Sequence, residues 1–176
     1  MPLRPSFSVS PCRTPPPGEG LVVSPADGKV ILAMNVTENE FFKSDAFQIS
    51  IFMSPLDVHV NRIPISGKVA YFRYVRGEYF AAFEDKASEK NEQTVIGLEN
   101  HLGKVLFKQI AGFVARRIVC NLEVGKPVTT GERFGMIKFG SRVDVFLPTS
   151  AIPRVSVGDR AVAGETILAE LSEGVR

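Results

Sequence analysis

The 176-residue chain has no tryptophan, two cysteines and two histidines. Cys12 and Cys120 fit no zinc spacing, so no metal centre is expected. Cys120 ends the apolar run Ile118-Val119-Cys120 and reads as a core thiol; a disulfide to Cys12 is the alternative. No stretch approaches the ~20 apolar residues of a membrane span. The first residues lack the charged-then-apolar order of a signal peptide. If the chain works at a membrane, it is expected to lie on it. Net charge is only +2, too little to argue for nucleic acid and compatible with weak attraction to an anionic membrane surface. Hydrophobic residues make up 44%, a globular composition at a length that suits one domain with a real core.

Residues 1–20 hold prolines at positions 2, 5, 11, 15, 16 and 17, which predicts an extended, poorly packed lead-in. From Leu21 to residue 176 the pattern is a single domain of short apolar runs broken by Gly, Pro and Asn. The runs are Leu21–Val23, Lys29–Leu32, Phe47–Phe52, Gly67–Phe72, Thr94–Leu98, Lys104–Phe107, Val143–Leu147 and Thr166–Ala169. Their lengths, β-branched content and turn-rich borders predict strands. A short helix is expected over Ser54–His59, with Ser54-Pro55 as cap and first-turn proline. Two internal echoes stand out. Val124-Gly125 and Gly131-Glu132 repeat at the same spacing as Val157-Gly158 and Gly164-Glu165, and Gly28-Lys29-Val30 repeats as Gly67-Lys68-Val69. Such repeats predict a mainly β, compact, pseudo-symmetric sandwich or barrel with few short helices. The Val-Gly to Gly-Glu phrase resembles the hairpins of biotinyl and lipoyl carrier domains.

Chemistry is scarce, and three places carry it. A Gly-Ser pair before a strand is ordinarily a turn. Gly140-Ser141 has a second reading, because a glycine leaves its carbonyl open to attack and tolerates strained dihedrals. Ser141 Oγ can then reach that carbonyl through a small ring. The amide becomes an ester, the ester leaves by β-elimination, and dehydroalanine hydrolyses to a pyruvoyl group and ammonia. A serine needs a base and an oxyanion donor for this. His101, in Asn100-His101-Leu102-Gly103, reads as a solvated turn. His59 lies among Asp57, Asn61 and Arg62 between apolar runs, which suits either proton transfer or a structural hydrogen bond. Asp27-Gly28 closes a tight turn; its carboxylate could also orient a histidine.

Together these segments resemble the phosphatidylserine decarboxylases in their short proenzyme form. The resemblance rests on Ser24-Pro25-Ala26-Asp27-Gly28-Lys29-Val30 and Phe52-Met53-Ser54-Pro55-Leu56-Asp57-Val58-His59-Val60-Asn61-Arg62. It continues with Asp85-Lys86-Ala87-Ser88, Asn91-Glu92, Gln109-Ile110-Ala111-Gly112, Ala115-Arg116-Arg117-Ile118-Val119-Cys120 and Gly131 to Asp144. These pieces run in family order from about residue 21 to 148. The resemblance implies cleavage between Gly140 and Ser141 into a chain of residues 1–140 and a chain of residues 141–176, with Ser141 becoming a covalent pyruvoyl cofactor. It places Asp27 and His59 in the processing and catalytic site. It implies decarboxylation of phosphatidylserine to phosphatidylethanolamine through a Schiff base with the substrate amine, or the same reaction on an ether-linked archaeal lipid. The expected setting is peripheral, on the cytoplasmic side of the cell membrane, as a heterodimer of the two fragments, with a further homo-oligomer as the alternative. Two departures stand out. Arg62 occupies the position where the longer form has a second histidine, and Asn91-Glu92-Gln93-Thr94 replaces the family's Asn-Glu-Arg-Asn. Phe41-Phe42 and Tyr79-Phe80-Ala81-Ala82-Phe83 are offered as an apolar mouth for a lipid, against the plainer reading of core packing. A reading from another class is a lipoyl-like carrier using Lys86, in Glu84-Asp85-Lys86-Ala87.

Overall fold

Apolar residues at every second position, in runs too short for helices, commit this chain to sheets. The computed structural model describes residues 11–78, 81–84, 90–113, 117–137 and 140–173. Its strands are β1 (Leu21–Val23), β2 (Gly28–Glu38), β3 (Ser44–Met53), β4 (Val60–Arg62), β5 (Gly67–Val75), β6 (Gln93–Asn100) and β7 (Gly103–Ile110). They continue as β8 (Ile118–Cys120), β9 (Pro127–Val128), β10 (Arg133–Ile137), β11 (Ser141–Leu147), β12 (Ile152–Pro153), β13 (Arg160–Ala161) and β14 (Ile167–Glu170). Each of the eight expected runs falls on a strand. The fold is mainly β, built on a curled eight-stranded sheet in the order β13-β2-β3-β11-β7-β6-β5-β9. Two three-stranded sheets, β1-β14-β12 and β4-β10-β8, complete it.

The internal echoes have a structural meaning. The strand order is symmetric about the β11/β7 boundary, and each outer edge is one copy of the repeat. Arg160 and Ala161 pair with Lys29 and Gly28, while Pro127 and Val128 pair with Lys68 and Gly67. The Gly158 N–H donates to Val30 O and the Gly125 N–H to Val69 O, both at 2.8 Å. Arg62 sits between the two Gly-Glu turns. Its Nη1 donates to Gly131 O at 2.8 Å, and a Cβ on Gly164 would stand 2.9 Å from its Cδ.

Alternation sends Ile49, Ile51 and Met53 from β3, Val105 and Phe107 from β7, and Val143, Val145 and Leu147 from β11 into one core. Phe107 and Phe134 meet edge-on, centroids 5.2 Å apart, a favoured aromatic geometry. A smaller cluster of Ala46, Val95, Leu106 and Phe146 lies on the sheet's other face, covered by Phe41, Phe42 and Tyr71. Phe41 and Phe42 are therefore packing residues.

One expectation is corrected. Residues 54–57 form a turn, not the start of a helix: Asp57 Oδ2 accepts the Ser54 N–H at 2.8 Å and the Asp57 N–H donates to Ser54 O at 3.0 Å. The side chain thus closes the turn locally, and the chain then enters β4. Residues 11–20 of the lead-in form no strand and are mostly exposed, while Arg13 reaches Asp27 and Pro15 lies against Gly131. Both cysteines are free thiols; Cys12 is exposed, and burial pushes the Cys120 thiol upward.

Candidate active site at the Gly140–Ser141 bond

Ser141 opens β11 opposite Met53 of β3, on the face that carries Val143 and Val145 into the core. It is fully buried, and its Oγ donates to Met53 Sδ at 3.4 Å. Gly140, just before it, has φ +57, a left-handed conformation that costs any residue with a Cβ. A Cβ there would meet nothing within 4 Å, so backbone conformation, not crowding, selects glycine. Gly112 is the opposite case. A Cβ on it would fall 1.7 Å from Gly140 O, so the bare Gly112 backbone presses against the carbonyl that Ser141 would attack. Asn91 and Glu92 hold this loop: Asn91 Nδ2 donates to Ala111 O at 2.6 Å, and the Ala111 N–H donates to Glu92 O at 2.9 Å.

His59 immediately precedes β4, and its carbonyl accepts the Ile137 N–H at 3.2 Å. Partial burial holds its imidazole pKa below the usual 6.5, against the opposing pull of Asp57, a hydrogen bond to the Ser54 backbone, and Asp27. Neutral imidazole is the form that can accept a proton. Asp27 lies in the turn between β1 and β2, strands of two different sheets. Its carboxylate accepts Arg13 Nη1 and Nη2 at 2.5 and 2.8 Å, and the Ala163 N–H at 2.7 Å. The structure thus places Asp27 within electrostatic range of His59 while giving its carboxylate to Arg13. That partner is the part of the site the sequence reading missed. Arg62, at the position of the longer form's second histidine, is buried and donates through Nη2 to Pro11 O at 3.1 Å.

His101 is exposed in the turn after β6, beside Glu19, as its solvated-turn reading expected. Phe139, Tyr79, Phe80 and the candidate carrier residue Lys86 lie outside the described residues. No cluster of three or more metal-ligating side chains occurs among the described residues. A concavity of about 820 Å³ opens on the sheet's other face, lined by Arg142 and Asp144; strand alternation turns Ser141 away from it. Met53, Asn61, Gln109 and Gly112 also went unassigned in the sequence. Gln109 carried a signal: it follows Val105 and Phe107 at the inward positions of β7, where a polar side chain is out of pattern.

Comparison with known proteins places the chain among decarboxylase proenzymes, a class of carboxy-lyases. It belongs to the phosphatidylserine decarboxylase family, whose model matches residues 6–169. The phosphatidylserine decarboxylase proenzyme of Chlorobium phaeovibrioides is 49% identical over 166 residues, covering 94% of this chain and 75% of the relative. The proenzyme of that name from Amoebophilus asiaticus is 50% identical over 155 residues, 88% of this chain and 69% of the relative.

Proposed function

We propose that the chain cuts itself between Gly140 and Ser141 and then decarboxylates phosphatidylserine to phosphatidylethanolamine. The observation that carries this reading is the buried Ser141 behind a left-handed Gly140 whose carbonyl is backed by Gly112, in a chain of this family. His59, kept neutral by burial, takes the Ser141 hydroxyl proton. Asp27, anchored by Arg13, lies within electrostatic range of that imidazole. The residues fit a cofactor made from the chain: Ser141 starts a strand held on both sides by β3 and β7, so its position survives the loss of the bond to Gly140. When formed, the pyruvoyl group supplies the electron sink for the bond that releases carbon dioxide. His59 then returns a proton to the product.

A phospholipid substrate calls for an apolar approach to this site, and three exposed side chains offer one. Leu56, Phe83 and Phe113 are 97%, 65% and 69% exposed. Leu56 follows Met53 by three residues, Phe83 packs on Phe52, and Phe113 adjoins Gly112. Lys29 is exposed on the neighbouring strand β2 and suits an anionic lipid surface. This rim supports a peripheral place on a membrane. No helix among the described residues is long and apolar enough to cross one.

The test is intact mass after synthesis. Two fragments are expected, the smaller beginning at residue 141 with a blocked end that lacks its amine, and Ser141→Ala should leave one uncut chain. A wild-type chain that stays whole on incubation would overturn the reading.

A further inference from the structure

Thr94, Gln109 and Asn61 form a polar chain inside an otherwise apolar face. Thr94 Oγ1 donates to Gln109 Oε1 at 2.6 Å, and Gln109 Nε2 donates to Asn61 Oδ1 at 2.9 Å. Gln109 and Asn61 are fully buried, and Thr94 nearly so. The carbonyls at the ends fix the polarity. Val119 O, 3.4 Å from Gln109 Nε2, and Pro25 O, 3.3 Å from Asn61 Nδ2, can only accept,. Turning either amide over would set oxygen against oxygen. Asn61 therefore presents its NH2 group, not its oxygen, to Pro25 O and to Met53 Sδ. Its Nδ2 lies 3.8 Å from Met53 Sδ, the same sulfur that accepts the Ser141 hydroxyl at 3.4 Å. A thioether is a weak acceptor. A firmly oriented amide donor thus rests on a poor partner beside the nucleophile.

We propose that Asn61 donates to Ser141 Oγ during self-cleavage, and that Gln109 and Thr94 are positioning residues acting through it. The inference rests on Ser141 being the self-cleaving residue. In the first step the hydroxyl proton passes to the base and Oγ bonds to the Gly140 carbonyl carbon. The C–N bond then breaks, and the nitrogen takes a proton. In the second step the Ser141 Cα proton is removed and the Cβ–Oγ bond breaks, its electron pair staying on Oγ. That oxygen departs as part of the Gly140 carboxylate. In the first step charge moves from Oγ to the Gly140 carbonyl oxygen; in the second it gathers on Oγ, so one N–H aimed at Oγ favours the elimination. Gly112 flanks the carbonyl oxygen, whereas Asn61 shares the Met53 sulfur with Oγ, so the two have separate tasks.

The experiment follows cleavage of freshly synthesised full-length chain by intact mass, with hydroxylamine to trap the ester. Asn61→Asp keeps the shape but ionises to an acceptor. Cleavage should slow on the order of 100-fold, the usual cost of one preorganised donor, with more hydroxylamine-sensitive ester, since the ester forms but leaves slowly. Protonating the new carboxyl restores an O–H donor, so the deficit relative to wild type at the same pH should shrink in acid, which a merely structural role would not produce. Gln109→Leu leaves Asn61 in place but frees its amide, and should slow cleavage in a chain that still melts as a folded sheet. If both variants unfold, the near-isosteric Thr94→Val decides. Wild-type cleavage in a folded variant, or a deficit that acid does not relieve, overturns the inference. Cleavage of Ser141→Ala would instead overturn the underlying reading; if Ser141→Ala stays whole while Asn61→Asp cuts normally, only the role of Asn61 falls.

Discussion

The protonation of His59 sets the pH behaviour expected at the scale of single residues. Burial holds its pKa below 6.5 in the folded chain. The imidazole therefore stays neutral, and able to act as a base, to a more acid pH than a free histidine. Below its ordinary pKa the unfolded chain binds the proton first, so the stability contributed by neutral His59 is full above that value and is lost as pH falls towards the folded pKa. Cleavage rates measured across about pH 5 to 8 should be level near neutrality and fall on the acid side, with a midpoint below that of free histidine. His59→Ala should remove the limb and impair decarboxylation even where some cleavage survives. An acid limb that persists unchanged in His59→Ala would assign it to another group. Ser141, His59 and Asp27 were singled out by phrases that run in the order of the family they resemble, since a Gly-Ser pair, a lone histidine and an Asp-Gly turn are each ordinary by themselves. Arg13 and Asn61 were not. A proline-rich lead-in gives no sign that its one central arginine reaches a carboxylate 14 residues on. Nor does an asparagine between two apolar runs show which way its amide faces.

At the scale of elements, the long strands were readable because their inward positions are apolar at every second residue. The short ones were not: β9, β12 and β13 have two residues each, too few for a period, and exist because distant partners supply their hydrogen bonds. The expected helix after β3 failed for a local reason, since Asp57 caps its own turn. β11 combines both lessons. Val143, Val145 and Leu147 fill the core face, while Arg142 and Asp144 are buried on the other. Arg142 Nε donates to Asp144 Oδ1 at 2.6 Å and Nη2 to Ser50 Oγ at 3.0 Å, so the strand next to the cleavage bond is tied to β3 on both faces. Arg142→Leu strips the guanidinium from a buried carboxylate, and such losses cost about 3–5 kcal/mol. Paired with Asp144→Leu, much of that should return, because the uncompensated charge goes too. Urea unfolding in the uncleavable Ser141→Ala background reads both values. Equal destabilisation by the single and double replacements would show that the ion pair contributes shape alone.

At the scale of the whole molecule, the proposed cleavage bond lies at the head of a central strand, not of an edge strand. Residues after Gly140 contribute β11, flanked by β3 and β7 in the middle of the eight-stranded sheet, and β13, which closes one edge on β2. They also contribute β14, which pairs with both β1 and β12. Separating residues 141–176 from residues 1–140 would open a central strand along both sides. It would also expose Val143, Val145, Leu147 and Leu168, each fully buried, at roughly 1.5–3 kcal/mol per side chain. The pseudo-symmetry adds to this: the Val157-to-Glu165 repeat belongs to the small fragment and its Val124-to-Glu132 counterpart to the large one, so the two halves of the edge pattern divide between the products. No disulfide is needed, and both cysteines lie in the large fragment as free thiols. The cut protein should therefore elute from a sizing column at the same volume as Ser141→Ala and part into two bands only on denaturation. Elution of the small fragment by itself in native buffer would mean that cutting the chain loosens the sheet, and that β11 is held less by its neighbours than by the bond it loses.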